Sequence, residues 1–120
     1  VWGENASALF VNIGKAIFET QIQGKIMADK KQSIILKGES LEDLFIDWCR
    51  ELLYNFSVHG FIPVDYEVSV ENSSIRAHLR GDVYDANRHR VKLEIKNPTY
   101  HNFVIEKRKK GLRARIIFDV

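Results

Sequence analysis

The chain has 120 residues, of which 45% are hydrophobic and 28% charged, with a net charge of +2. That size suits one domain able to bury roughly 65–70% of the surface its unfolded form exposes, so folding needs neither a disulfide nor a structural metal. One cysteine, Cys49, excludes an internal disulfide; no apolar run reaches the ~18 residues of a membrane span and no segment reads as a signal peptide. These features predict an intracellular, cytoplasmic protein without a membrane partner.

Val1-Trp2-Gly3 reads as the tail of a strand feeding a helix, which predicts a further strand upstream. Asn5 is a suitable N-cap. Leu9, Phe10, Ile13, Ile17 and Phe18 then recur at helical spacing, predicting a helix over residues 6–21. Gly14 inside it costs about 1 kcal/mol relative to alanine, which a close neighbour on a sheet would offset. Residues 23–31 are polar and read as a loop, and 33–37 as a short strand stopped by Gly38. Ser40, with Asp43 three residues on, forms a variant capping box. The spacing predicts a second helix over 41–56 that buries Leu41, Leu44, Phe45, Trp48, Leu52 and Phe56. Asp47 and Glu51 fall on another face and read as surface charges.

The second half reads as strands. Residues 64–70 and 75–79 form a hairpin around Glu71-Asn72-Ser73-Ser74, and 81–90 is a polar loop. Val91, Leu93 and Ile95 alternate with Lys92, Glu94 and Lys96, which predicts a half-buried strand over 91–96 with one charged face. Strands at about 102–107 and 112–119 join through Lys109-Lys110-Gly111. Helices grouped early and strands grouped late predict a single α+β domain, two-layered, with two helices packed on one face of a mostly antiparallel or mixed sheet.

Three runs resemble the archease family, small accessory proteins of the RNA ligase that joins 2′,3′-cyclic phosphate and 5′-hydroxyl ends in tRNA splicing. The first is Leu44-Phe45-Ile46-Asp47-Trp48-Cys49-Arg50-Glu51-Leu52-Leu53. The second runs from Arg88-His89 through Lys92, Glu94 and Lys96 to Thr99-Tyr100-His101, and the third is the Ile117-Phe118-Asp119-Val120 ending. Trp2-Gly3 also fits the family's approach to its first helix. Two features depart from the pattern: the family's His-Thr-Ala-Asp segment, whose Asp is a metal ligand, is absent, and Asn97 stands where a small apolar residue is usual.

The resemblance implies a non-catalytic cofactor protein, cytoplasmic or, in a eukaryote, also nuclear. Its partner would be the tRNA-splicing RNA ligase, whose GTP-dependent guanylylation it promotes, and through the ligase it could meet RNA indirectly. Asp119 and Val120 would hold a divalent metal (Ca²⁺, Mg²⁺ or Mn²⁺), whose hardness suits oxygen ligands. Without a third carboxylate that site is expected to be weak in this chain, and restoring the upstream segment to tighten it. Lys92, Glu94, Lys96, Tyr100 and His101 would contact the partner or its guanylylated intermediate, Lys96 as a point charge for phosphate. Each has a plainer alternative. A terminal Asp is commonly solvated, and a Lys-Glu-Lys ladder is worth about 0–1 kcal/mol. Tyr100 can be an amphipathic core residue with its hydroxyl satisfied, and a lone histidine such as His101 or His89 is more often structural.

Two other classes compete. A metal-dependent phosphodiesterase would need a phosphate loop, a metal cluster or an activated nucleophile, none of which the sequence displays. An RNA-binding or chaperone-like module could use the sheet and the basic hairpin, Lys107–Lys110 with Arg113 and Arg115, but no aromatic residue is interleaved with that run, so sequence-specific RNA binding is not expected.

Overall fold

The computed structural model describes residues 1–120. A two-residue strand, β1 (Trp2–Gly3), leads into helix α1 (Ala6–Gln21). The helix starts at Asn5, whose extended backbone lets its side-chain oxygen accept the N–H of Ala8 at 2.9 Å. Its inner stripe buries Leu9, Phe10, Ile13, Ile17 and Phe18. Gly14 is required by packing: a Cβ there would stand 2.7 Å from Cε2 of Tyr66, so the helix lies closer to its sheet than a larger residue would allow.

Helix α2 (Leu41–His59) begins where Ser40 Oγ accepts the N–H of Asp43 at 3.1 Å. The other half of the expected capping box is not made, because the Asp43 carboxylate accepts the hydroxyl of Tyr100 instead, at 3.0 Å. The helix runs three residues past the expected 56, to His59. Gly60 adopts the left-handed conformation (φ 71°), and its N–H closes the last turn on the carbonyl of Phe56 at 2.9 Å. Trp48 is fully buried and donates its indole N–H to the Phe10 carbonyl at 2.9 Å, tying the two helices together. Phe10 and Phe45 meet edge to face beside it, with centroids 5.3 Å apart.

The remaining strands are β2 (Ile22–Gly24), β3 (Lys30–Lys37), β4 (Phe61–Glu71), β5 (Ser74–Val83), β6 (His89–Val91), β7 (Asn97–Arg108) and β8 (Gly111–Asp119). They form three antiparallel sheets, ordered β1-β8-β7, β2-β6 and β3-β5-β4. The α+β architecture expected from the sequence is present, with the sheet layer divided into three pieces. Helix α1 packs mainly on β4 and β1, and α2 mainly on β7. One continuous core of 20 buried residues joins the helices to the sheets. The hairpin between β4 and β5 turns on Asn72 (φ 51°) and Ser73 (φ 60°), the two-residue left-handed turn that matches strand twist. No helix is long and apolar enough to cross a membrane.

Four expectations need correction. The loop at 23–31 contains the end of β2 and the first residues of β3, and the loop at 81–90 contains the end of β5 and the start of β6. More consequentially, 91–96 is not a strand. Pairing with β2 ends at Val91, and the next donors turn to the end of α1: the N–H of Lys92 reaches the Gln21 carbonyl at 2.7 Å, and that of Ile95 reaches Gln21 Oε1 at 2.9 Å. No neighbouring strand takes those groups, so the alternation does not produce a ladder; Ile95 is buried while Leu93 is 41% exposed. Finally, β7 begins at Asn97 rather than near 102, and it is interrupted. Thr99 pairs with Ile117 and Val104 with Arg115, so four residues of β7 oppose Ile116 alone. Asn102, with φ 56°, makes the bend.

Candidate functional site

The end of β8 carries the sequence-predicted site. Arg113, Arg115, Ile117 and Asp119 alternate with the inward-facing Ala114, Ile116 and Phe118, so the Asp119 side chain lies on the outer face of the sheet. Asp119 stands opposite Asn97, and its backbone carbonyl accepts the N–H of Lys96 at 2.8 Å. This pair brings Lys96, Asp119 and Val120 together as an exposed group at one end of the sheet. Beside them, Leu93, Phe118 and Val120 join Ile13 and Ile17 of α1 around a shallow apolar hollow of about 210 Å³.

The other candidates lie elsewhere. The ammonium of Lys92 donates to the Glu19 carbonyl at 2.7 Å. It thereby supplies the cation that the last turn of α1 lacks in its own sequence, a favourable interaction with the helix dipole. Glu94 lines a separate hollow with Phe56, Ser57, Gly60 and Tyr84, at the C-terminal end of α2. Tyr100 lies at the opposite end of α2, about 28 Å long for 19 residues. Lys92, Glu94 and Lys96 therefore do not share one strand face. Tyr100 turns toward α2 rather than the outer face: its hydroxyl donates to Asp43, Arg50 stands 5.9 Å from its ring centroid, and Phe103 meets it edge-on. Desolvation and the Asp43 carboxylate raise the Tyr100 phenol above its ordinary pKa, against the opposing pull of Arg50. His101 is exposed at the interruption of β7.

Asp119 and Val120 match a hard cation in ligand type but not in number. Ca²⁺ takes six to eight oxygens, no three His, Cys, Asp or Glu side chains are grouped so as to hold a metal ion, and the Asp119 carbonyl is engaged by Lys96. These residues alone do not complete a metal site.

Sequence reasoning missed a second polar centre. Asp82, at the end of β5, is only 3% exposed. Its carboxylate accepts the N–H groups of Met27 (3.1 Å) and Val83 (2.8 Å) and two bonds from Arg88 Nη2 (2.8 and 3.0 Å). Burial opposes ionisation of Asp82, but these donors outweigh it and hold the carboxyl below the ordinary range. His89 completes the group. Its Nδ1 accepts the Asp85 N–H at 3.0 Å, which leaves the proton on Nε2, 3.0 Å from the Lys25 carbonyl and 3.2 Å from Asp82 Oδ2. The cluster clasps the β5–β6 connection onto the β2–β3 connection. Arg88-His89 was visible in the sequence; nothing there marked Asp82 as their partner.

A model of the Archease protein family (MTH1598/TM1083) matches residues 1–120. The chain is 34% identical over 125 residues to protein archease of Methanosarcina barkeri, covering 99% of this chain and 86% of that one. It is 33% identical over 124 residues to protein archease of Archaeoglobus fulgidus, covering 100% and 89%. Among solved structures it resembles Methanobacterium thermoautotrophicum protein 1598, with a TM-score of 0.81 at 20% identity and 100% and 89% coverage. It also resembles an archease of Thermotoga maritima described as a possible chaperone, with a TM-score of 0.71 at 20% identity and 100% and 87% coverage. At that identity the two structures speak for the fold alone.

Proposed function

Because the chain belongs to the archease family, we propose that it is a non-catalytic accessory protein that activates the tRNA-splicing RNA ligase, promoting that enzyme's GTP-dependent guanylylation and multiple turnover. The observation that carries the proposal is the exposed pairing of Lys96 with Asp119 on the outer end of the β7–β8 sheet. A cation and an anion are presented there beside an apolar hollow, on an open surface rather than inside an enclosed pocket. Such a surface suits contact with another macromolecule, and a polar rim beside an apolar patch is ordinary interface anatomy.

In this reading Lys96 meets phosphate of the partner's guanylylated intermediate as a point charge. Asp119 offers its carboxylate to the same centre, and Tyr100 and His101 would add contacts at the interruption of β7, Tyr100 on the side of the sheet that faces α2. Lys92 and Glu94 flank it, one holding the end of α1 and the other lying near the end of α2. A divalent cation at Asp119 and Val120 belongs to the same proposal, would neutralise negative charge there, and needs more oxygen donors than this pair supplies. A cytoplasmic setting goes with the partner.

A multiple-turnover ligation assay, with cyclic-phosphate and 5′-hydroxyl RNA ends, tests the proposal. Wild-type protein should raise the number of turnovers per ligase, and both Asp119→Ala and Lys96→Ala should reduce that gain. Equal turnover with and without wild-type protein would remove the proposed function.

A further inference from the structure

The two large sheets expose very different outer faces. On β3-β5-β4 basic and acidic side chains stand opposite one another across the strands: Arg80 lies opposite Asp65, and His78 opposite Glu67. On β1-β8-β7 one such pair occurs, Arg113 opposite Glu106, but the Glu106 carboxylate is engaged by Arg108 instead. Residues directly opposed in antiparallel strands share a face, so Trp2, Arg113 and Glu106 form one row, with Arg115 and Val104 in the next. Trp2 points outward, because its neighbour Gly3 faces α1 so closely that a Cβ would meet the Leu9 backbone. It is 46% exposed.

Three of these side chains, Arg113, Arg115 and Glu106, line a polar hollow of about 210 Å³ together with Arg108. Arg108 is paired with Glu106 at 2.8 Å. Arg113 and Arg115 are exposed and form no ion pair. Lys107, Lys109 and Lys110 add charge at the hairpin tip, where Glu4, packed by its backbone against Gly111, is the other carboxylate. The positive charge here is therefore largely uncompensated, and a solvent-facing indole lies beside it.

We propose that this outer face, centred on Trp2, Arg113 and Arg115, binds single-stranded RNA. Arg113 and Arg115 are two positions apart on one strand, about 6.8 Å by strand rise, a separation suited to neighbouring phosphates. The indole of Trp2 provides a platform for a base, and stacking on an aromatic ring beside a cationic track is how single strands are held without sequence preference. Sequence alone hid this arrangement because the aromatic residue comes from the opposite end of the chain and reaches the basic hairpin only through the β1–β8 register. The inference is independent of ligase activation and concerns the hairpin end of this face, away from Lys96 and Asp119 at its other end.

The test is fluorescence anisotropy with a fluorescein-labelled single-stranded RNA dodecamer of mixed sequence, without ligase, across a salt series. Wild-type protein should bind at low salt and weaken as salt rises. The double variant Arg113→Gln/Arg115→Gln should lose at least about tenfold in affinity, and its log–log salt slope should fall by about 1.4. Trp2→Ala should weaken binding roughly five- to a hundredfold with the slope unchanged. The pair Lys31→Gln/Arg80→Gln, on the other sheet, should bind as wild type. Tryptophan emission of the unaltered protein gives a readout that depends on no variant: Trp48 is fully buried, so RNA should quench Trp2. No binding at low salt, equal loss in both charge-altered pairs, or binding without quenching would each overturn the proposal. Failure here leaves the ligation assay free to support the proposed function, and the reverse also holds.

Discussion

Two carboxylates show how one fold uses the same chemical group in two ways. Asp82 is buried and accepts four hydrogen bonds, two of them from Arg88. Asp119 is exposed, and the contact it makes runs through its backbone carbonyl to Lys96. A buried carboxylate must have its lone pairs filled, because an unsatisfied one carries the full cost of desolvation. An exposed carboxylate is satisfied by water and can exchange that water for a ligand or partner. Asp82 is therefore a fastener for two connections, and Asp119 is free to act outward.

The largest expected effect comes from breaking the fastener. Asp82→Ala strands Arg88 and the N–H groups of Met27 and Val83, and losing one partner of a buried pair typically costs 3–5 kcal/mol. Arg88 is half-exposed and can recover water, so a loss of about 3 kcal/mol is expected in urea unfolding. An unchanged midpoint would mean that the clasp does not stabilise the fold.

Asp119→Ala should leave the urea midpoint within about 0.5 kcal/mol of wild type, as for surface changes remote from packing. In the ligation assay it should lose roughly tenfold of the stimulation, about 1.4 kcal/mol in the same units. If both aspartate variants lost stability equally, the contrast between them would fail.

Acid sharpens the comparison. The Asp82 carboxyl is held below its ordinary value in the folded chain. Between that value and the unfolded one, near 3.9, the unfolded chain binds more protons and stability rises with pH. The contribution is thus fully present above about pH 4 and lost as pH falls through the folded value. Asp82→Asn should flatten that part of the stability–pH curve, measured by urea melts from about pH 6 down to about pH 2, while Asp119→Asn leaves it in place.

The smallest effect belongs to Lys92. Lys92→Met removes the cation from the Glu19 carbonyl at the end of α1 and should cost about 0.3–1 kcal/mol, decreasing with added salt. A loss insensitive to salt would point to packing of the lysine stem instead.

Much of this architecture was legible in the chain. Both helices could be placed because Asn5 and Ser40 act within a few residues of themselves and the apolar stripes repeat with the helical period, although the end of α2 at Gly60 was not read. The β4–β5 hairpin was legible for a similar reason, since Asn72-Ser73 supplies a local turn. The failure at 91–96 is instructive. Alternation of apolar and charged residues is a necessary mark of a half-buried strand, yet a strand also needs a neighbour. Here Gln21, at the far end of α1, takes the backbone donors that a neighbouring strand would have taken.

The sequence by itself determined the helices, their N-caps, the β4–β5 hairpin and the polar end at Asp119, because each depends on contacts a few residues apart. Only the tertiary structure decided that Asp82 closes on Arg88 and His89, that Glu94 and Tyr100 lie at opposite ends of α2, and that Trp2 stands beside Arg113. Those outcomes depend on strand register and helix placement, which join residues far apart in the chain. They are set by the summed burial of a common core rather than by any local pattern.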